Sequence, residues 1–140
     1  MSACYDRGVI ATGAVTTTGT GTLTFNAPPN ISAMGAVLDL TAAANDSGDL
    51  LDAYVQTTLD GTNWVDVIHF TQCLGNGGAK RYFAKVGAPT AETMFENAAA
   101  LWAAAVRNLL GEVWRARHVI TDVATTGNCS FTYTITLSPM

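Results

Sequence analysis

Charged side chains are scarce in this 140-residue chain, where they make up 13% of the residues, about half the share of a typical soluble domain. From Gly8 to Leu38 there is no charged residue. Two interpretations stay open: a threonine-rich β-surface that needs no charge, or a surface that other subunits cover. The net charge is −4 and Lys and Arg form no cluster, so nucleic acid is not an expected partner, since phosphate binding requires concentrated positive charge.

Long apolar runs are absent as well. No stretch of the sequence reaches the length of a membrane-spanning helix, because the longest uncharged segment is full of threonine and glycine. The first seven residues lack the basic start and apolar run of a signal peptide. We therefore expect a protein that folds in a cytoplasm and has no membrane partner.

The sequence contains few cysteines, and their spacing does not suggest disulfide pairs. Cys4, Cys73 and Cys129 are odd in number and far apart, which predicts no disulfide framework. None of them has a Cys or His at ligand spacing, so the sequence predicts no metal site. Cys129 lies on the apolar face of the last predicted strand, and we interpret it as a small core residue.

Catalytic motifs are missing too. The chain has no nucleophile elbow, no His-Glu-x-x-His, no phosphate loop and no dinucleotide fingerprint. Its two histidines, His69 and His118, both lie in predicted strands, where a packed or surface histidine is far commoner than a catalytic or metal-binding one. We predict that the protein is not an enzyme and needs no organic cofactor and no metal.

One acidic turn invites a calcium-binding interpretation. Its oxygen-bearing side chains are Asn45, Asp46, Asp49 and Asp52. Their spacing matches no EF-hand loop. The sequence therefore favours a solvated acidic turn over a calcium site.

The residues that are present indicate β-structure. Residues 52–58 and 64–70 are rich in aromatic and β-branched side chains, and the connector between them carries Asp-Gly, which suits a tight turn. From Cys129 to Leu137 apolar residues alternate with Ser and Thr, so one face of this strand is apolar and the other is hydroxylated. These patterns predict antiparallel strands with one buried face each.

Counting such segments gives about eight strands with Gly- and Pro-containing turns and no βαβ rhythm. The predicted fold is all-β: a two-sheet antiparallel sandwich, jelly-roll-like, in a single domain over residues 1–140, in which residues 1–8 can form an extended N-terminal arm. An immunoglobulin-like sandwich competes, but its paired cysteines flanking a Trp are missing. The expected core includes Leu23, Phe25, Leu38, Leu40, Val55, Ile68, Phe131, Tyr133, Ile135 and Leu137.

Residues 90–110 interrupt the β pattern. Thr90 can cap a helix and Gly111 can end it, and apolar residues recur between them at helical spacing. This segment is therefore predicted as a helical or irregular insertion, with helix favoured over an extended connection. A helix would present a stripe formed by Met94, Leu101 and Trp102, which we treat as candidate contacts with a partner.

Two further features involve specific polar side chains. Residues 58–64 resemble a shortened Asp-box, in which Asp60 is expected to bond turn amides while Trp64 packs over the turn. Arg115 and Arg117 share one face of their strand. This arginine pair can meet a carboxylate on a partner, and is a third candidate contact, but an intrachain pair is the favoured use.

Taken together, residues 51–67 and the ending from Gly111 through Leu137 resemble small virion structural proteins of tailed bacteriophages, and most of all the capsid cement, or head decoration, class. The resemblance implies a jelly-roll-like fold, a position on the outer surface of an icosahedral capsid and the major capsid protein as partner. It also implies synthesis in the cytoplasm of a bacterial host. A neck or tail position in the virion is the alternative within this class.

Self-association is a separate expectation. Low-charge, threonine-rich strands leave edges available for pairing, which favours a homo-oligomer, most simply a dimer. Its candidate contacts are the charge-free segment from Gly8 to Leu38 and the predicted helical stripe. A carbohydrate-binding sandwich is the alternative of another class, and it would use exposed aromatic residues such as Tyr54, Trp64 or Tyr82 as a sugar platform.

Overall fold

A computed structural model describes residues 5–43, 46–87, 101–123 and 129–140. These residues form strands and connecting loops, with no helix among them. None of their elements is a helix long and apolar enough to cross a membrane. The strands are β1 Gly8–Val15, β2 Gly19–Asn26, β3 Ala33–Ala42, β4 Leu50–Thr58, β5 Trp64–His69, β6 Cys73–Leu74, β7 Lys80–Gly87, β8 Ala105–Val106, β9 Val113–Thr121 and β10 Phe131–Pro139.

The strands form two antiparallel sheets that pack against each other, so the predicted sandwich is confirmed. Sheet A has the order β1-β10-β3-β7, and sheet B has the order β2-β9-β4-β5-β8, with β6 also pairing with β4. When the two-residue strands β6 and β8 are left aside, β1 pairs with β10, β2 with β9, β3 with β7 and β4 with β5. This is the strand order of a jelly roll, a long folded hairpin wrapped into two sheets.

The inner faces of the two sheets share one hydrophobic core. Nine-residue β10 alternates strictly between buried and half-buried positions, as its sequence pattern predicts. Eight of the ten expected core residues are fully buried, and Phe25 is half-buried against them. The largest side chain with no exposed surface is that of Trp114, whose indole N–H donates a 3.0 Å hydrogen bond to the carbonyl of Gly111.

The prediction that Leu23 lies in the core is wrong, because its side chain is 42% exposed. The pairing of β2 with β9 shifts register between Thr20 and Thr24, which places extra residues in β2 and turns Leu23 outward. Gly21 makes this path possible. A Cβ on Gly21 would lie 2.5 Å from the carbonyl oxygen of Ile10, so only glycine allows β1 and β2 to approach this closely.

The helix predicted over residues 90–110 is wrong for residues 101–110; residues 90–100, with Met94, lie outside the described ranges. Residues 103–104 instead form a turn, and residues 105–107 pair with the edge of β5. The backbone N–H of Arg107 donates to the carbonyl of Val67 at 2.8 Å, and β8 pairs with β5. Ala104 has a φ of 59°, outside the helical region. Pairing with a sheet edge has overridden the helix preference of an alanine-rich sequence.

The turn between β4 and β5 is organised by one carboxylate. Asp60 Oδ1 accepts hydrogen bonds from the backbone N–H groups of Thr62 at 2.8 Å and Asn63 at 2.7 Å. Asn63 donates to Asp60 through its backbone N–H and through its side-chain amide, and these bonds hold the pKa of Asp60 far below its usual value. Gly61 has a φ of 80°, which this turn requires. Asp60 therefore bonds the turn amides as predicted, whereas Trp64 lies under the guanidinium of Arg115.

Candidate functional site

The outer face of sheet B, called face B below, is covered by a network of its own side chains. Arg115 Nε donates to Gln56 Oε1 at 2.8 Å, and the Gln56 amide donates to Asp66 Oδ1 at 2.8 Å. Arg117 forms an ion pair of 3.1 Å with the other oxygen of Asp66. The guanidinium carbon of Arg115 lies 4.1 Å from the centre of the Trp64 ring, a cation–π geometry. Three strands are thus linked across this face.

The same network continues toward the β5 edge. The rings of Tyr54 and His69 stack with centroids 4.0 Å apart, and the guanidinium of Arg117 lies 4.6 Å from the centre of the Tyr54 ring. His69 Nε2 lies 2.9 Å from Asp52 Oδ1 and His69 Nδ1 lies 2.9 Å from the carbonyl oxygen of Leu101. His69 thereby links the 101–110 segment to face B.

Both histidines are occupied by structural contacts. The two ring nitrogens of His69 each lie 2.9 Å from an oxygen of the same chain, so both are engaged in intrachain contacts. His118 points into the core, where its Nδ1 lies 3.1 Å from the hydroxyl of Tyr133. Burial lowers the pKa of His118 and raises that of Tyr133. This arrangement suits a neutral imidazole that accepts the tyrosine hydrogen bond.

These contacts decide what face B can offer a partner. Arg115 and Arg117, two of the candidate contact residues, already hold Gln56 and Asp66 of the same chain. The rings of Tyr54 and Trp64 each have a guanidinium against them. The remaining aromatic residue of the sugar-platform hypothesis, Tyr82, packs half-buried against the core. Among the described residues, the aromatic rings of face B are therefore engaged by side chains of the same chain.

The outer face of sheet A, called face A below, is built differently. The strand register places four side chains in one row across the sheet, since Val9 pairs with Thr136, Thr136 with Val37 and Val37 with Phe83. Phe83 is 74% exposed and Val9 is 41% exposed. This set, the apolar row, crosses all four strands of sheet A.

The neighbouring rows of face A are small and polar. Thr12 and Thr134 meet through their hydroxyls at 3.2 Å, and beside them Arg81 and Asp39 form an exposed ion pair of 3.3 Å. Residues Val37, Asp39, Thr134, Thr136 and Ser138 of this face, together with Arg7, line an open depression of about 420 Å³. Face A therefore combines the apolar row with threonine hydroxyls and a few exposed charged side chains, among them the Arg81–Asp39 pair and Lys85.

Face A was only partly evident from the sequence. Alternation along β7 puts Phe83 on the face opposite Tyr82 and Val86. The row itself depends on which strands are neighbours and on their register, and no pattern within one strand specifies either. The relevant signal was the charge-free segment from Gly8 to Leu38, which supplies β1 and most of β3 to this face.

The two candidate contact residues in the 101–110 segment, Leu101 and Trp102, differ in exposure. Trp102 is 83% exposed, whereas Leu101 is half-buried and its carbonyl binds His69. Near this segment, β7 and β8 enclose a cavity of about 190 Å³ whose lining includes Phe83 and Val106. The structure does not unite Leu101 and Trp102 in a helical stripe.

The interpretation of residues 45–52 as a solvated acidic turn is wrong for two of its aspartates; Asn45 lies outside the described residues. Asp49 has no exposed surface, and Asp52 is bound to His69 and also accepts from the Gln72 amide. Strand pairing brings Asp49 close to Asp122 and Cys129 instead. Burial and these carboxylates raise the pKa of the Cys129 thiol to about 11.

No family model, curated protein or solved structure matches this chain. We therefore infer function from the two outer faces and from the chemistry of the side chains that they present.

Proposed function

We propose that this protein is a structural component of a tailed-phage virion that binds the outer surface of the icosahedral capsid as a cement, or decoration, protein. The observation that carries the proposal is face A, an open sheet surface that the apolar row crosses on all four strands. Phe83 is 74% exposed and shares its row with the exposed Val9, and exposed apolar residues grouped in a patch typically mark a protein contact.

The composition of face A suits a repeated contact. Threonine hydroxyls and short aliphatic side chains lose little conformational entropy when they are buried, compared with Lys, Arg or Glu. Each contact on a capsid lattice can be modest, because many identical copies together reinforce the shell. The major capsid protein is the proposed partner, and a copy of this chain is the proposed second partner, with a dimer as the favoured state.

The chemistry of the described residues supports binding rather than catalysis. His69 and His118 are both held by intrachain hydrogen bonds. The closed network on face B also weakens the carbohydrate-binding alternative, since a sugar ring needs an uncovered aromatic face to stack on. A neck or tail position uses the same contact chemistry and differs in copy number.

The first experiment locates the protein. Particles of the phage that encodes it should contain the protein at a copy number comparable to that of the major capsid protein, as measured by quantitative mass spectrometry. Particles made without it should assemble the same shell but break more readily on heating or osmotic shock. A few copies per virion would move the protein to the neck or tail, and its absence from particles would overturn the proposal.

The second experiment locates the contact. Purified protein is added to particles that lack it, and bound protein is measured by co-sedimentation. Phe83→Glu should abolish binding, because it places a charge in the apolar row. Leu59→Glu is the matched control, since Leu59 is also an exposed apolar residue, at 68%, but lies in the β4–β5 turn. Trp102→Glu should leave binding intact, and its loss of binding would move the contact to the 101–110 segment.

A further inference from the structure

Three side chains from distant parts of the sequence converge at one end of the sandwich. Asp49 immediately precedes β4, Asp122 immediately follows β9 and Cys129 lies just before β10. Leu50 pairs with Thr121, so the two aspartates extend the same antiparallel register by one position. One potential ligand atom from each of the three side chains lies within 4.8 Å of the other two.

Asp49 is the unusual member of this group. Its side chain is fully buried, and Oδ1 accepts a 3.0 Å hydrogen bond from the backbone N–H of Val123. Oδ2 is buried as well, and it has no hydrogen-bond partner within the described part of the chain. A carboxylate removed from water is costly unless a donor or a cation compensates it. The polar group beside this carboxylate is the thiol of Cys129, and a cation bound between the two side chains would compensate the buried charge.

We propose that Asp49, Asp122 and Cys129 bind a divalent transition-metal ion of the zinc type. The donor set selects the class of metal, because a thiolate together with carboxylates suits Zn²⁺, whereas Ca²⁺ and Mg²⁺ are held by oxygen ligands alone. Asp122 is exposed, which gives an ion access from solvent and leaves room for water as the fourth ligand.

The geometry requires a modest local contraction. Zinc bonds are about 2.0 Å long to oxygen and about 2.3 Å long to sulfur, so tetrahedral ligand atoms lie roughly 3.3–3.6 Å apart. In this structure the three candidate ligand atoms lie within 4.8 Å of one another. Binding would therefore require small movements of these side chains toward one another. Binding releases the thiol proton of Cys129 to solvent, because a metal binds the thiolate.

The expected role of the ion is structural. β4 and β9 belong to sheet B, whereas β10 belongs to sheet A, so one ion would join the ends of strands from both sheets. An ion that binds the folded chain and not the unfolded chain stabilises the fold by RT ln(1 + [L]/Kd), so the melting temperature rises as the ion concentration exceeds its Kd.

The test uses the full-length protein, reduced and freed of metal, with Zn²⁺ and Co²⁺ as probes. Zn²⁺ should raise the melting temperature, and Co²⁺ should give the sulfur-to-cobalt charge-transfer absorption of a thiolate ligand. Cys129→Ser should abolish that absorption, and Cys73→Ser should keep it, since Cys73 is equally buried but lies outside the group. Titration calorimetry gives the Zn²⁺ affinity of each variant.

Asp49→Asn is the decisive variant, because an asparagine keeps the Val123 hydrogen bond but removes the buried charge. Without metal it should melt at a higher temperature than the natural chain. Its Zn²⁺ affinity should fall more than about 100-fold, since loss of even an outer-shell partner costs about 10–100-fold. Asp39→Asn, which removes an exposed carboxylate on face A, should leave the affinity unchanged. Equal Zn²⁺ affinity in Asp49→Asn, or stabilisation by Ca²⁺ and not by Zn²⁺, would overturn the proposal.

Discussion

Face B binds its own charged and aromatic side chains to one another, whereas face A leaves an apolar row and threonine hydroxyls open to solvent. An ion pair illustrates the contrast on each face. Arg117 and Asp66 on face B are 35% and 20% exposed, while Arg81 and Asp39 on face A are 62% and 36% exposed. A jelly roll has two outer faces, and here the protein stabilises one of them and leaves the other available.

The inner faces should show no such contrast, and this is the largest effect that we predict. Ile135 in sheet A and Leu51 in sheet B both have fully buried side chains in the shared core. Ile135→Ala and Leu51→Ala should each lower the free energy of unfolding by about 2–5 kcal/mol, the usual cost of truncating a buried aliphatic side chain. Urea unfolding followed by circular dichroism measures both. A small cost in one sheet alone would mean that this sheet contributes little to the core.

The two ion pairs provide the next comparison. Asp66→Ala removes the acceptor of both Gln56 and Arg117, and should lower the free energy of unfolding by about 1–3 kcal/mol, because partly buried donors lose their partners. Asp39→Ala should cost less than about 1 kcal/mol, the usual range for an exposed pair. Equal costs, measured by urea unfolding, would contradict the view that only face B is cross-linked.

A change in pH acts on sheet B through His118. Burial lowers the pKa of His118 in the folded chain, so the unfolded chain binds the proton more readily. The stability contribution is therefore complete above about pH 6.5 and is lost as the pH falls below it. His118→Gln keeps an acceptor for Tyr133 and should flatten this part of the stability-versus-pH curve. An unchanged pH dependence in the variant would assign the effect to another group.

Much of the fold followed from alternation within single strands, and the errors arose where another strand determined the outcome. The core positions of β10 were evident because Phe131, Tyr133 and Ile135 alternate with threonine. Leu23 followed the same rule and was misplaced, since the bulge near Gly21 depends on how closely β1 approaches. Residues 101–110 were misread because their hydrogen-bond partners lie on β5, which no local periodicity records.

The sites were harder to predict than the fold for the same reason. Arg115 and Arg117 were correctly placed on one face, and the structure supplies the intrachain partners that the sequence left open. The apolar row and the convergence of Asp49 with Cys129 both require knowledge of strand neighbours and register. Val37 and Asp122 belong to no sequence motif. Only strand pairing places Val37 in the apolar row and Asp122 beside Asp49 and Cys129.

The smallest effect on stability should come from face A. Phe83 is 74% exposed, so Phe83→Ser should change the free energy of unfolding by no more than about 0.5 kcal/mol, as is usual for surface positions. Tyr54→Ser on face B should cost about 1 kcal/mol, because it removes the stacking with His69. Both are measured by urea unfolding under the same conditions.

This last comparison separates a contact surface from a structural one. A side chain that contributes to binding and not to folding should lose capsid binding on substitution while the melting curve stays unchanged. Phe83→Ser should lose capsid binding and keep its melting temperature. Tyr54→Ser should melt at a lower temperature and should still bind the capsid at temperatures below that melting point. A large loss of stability in Phe83→Ser would mean that the ring packs against its own chain and is not a contact residue for a partner.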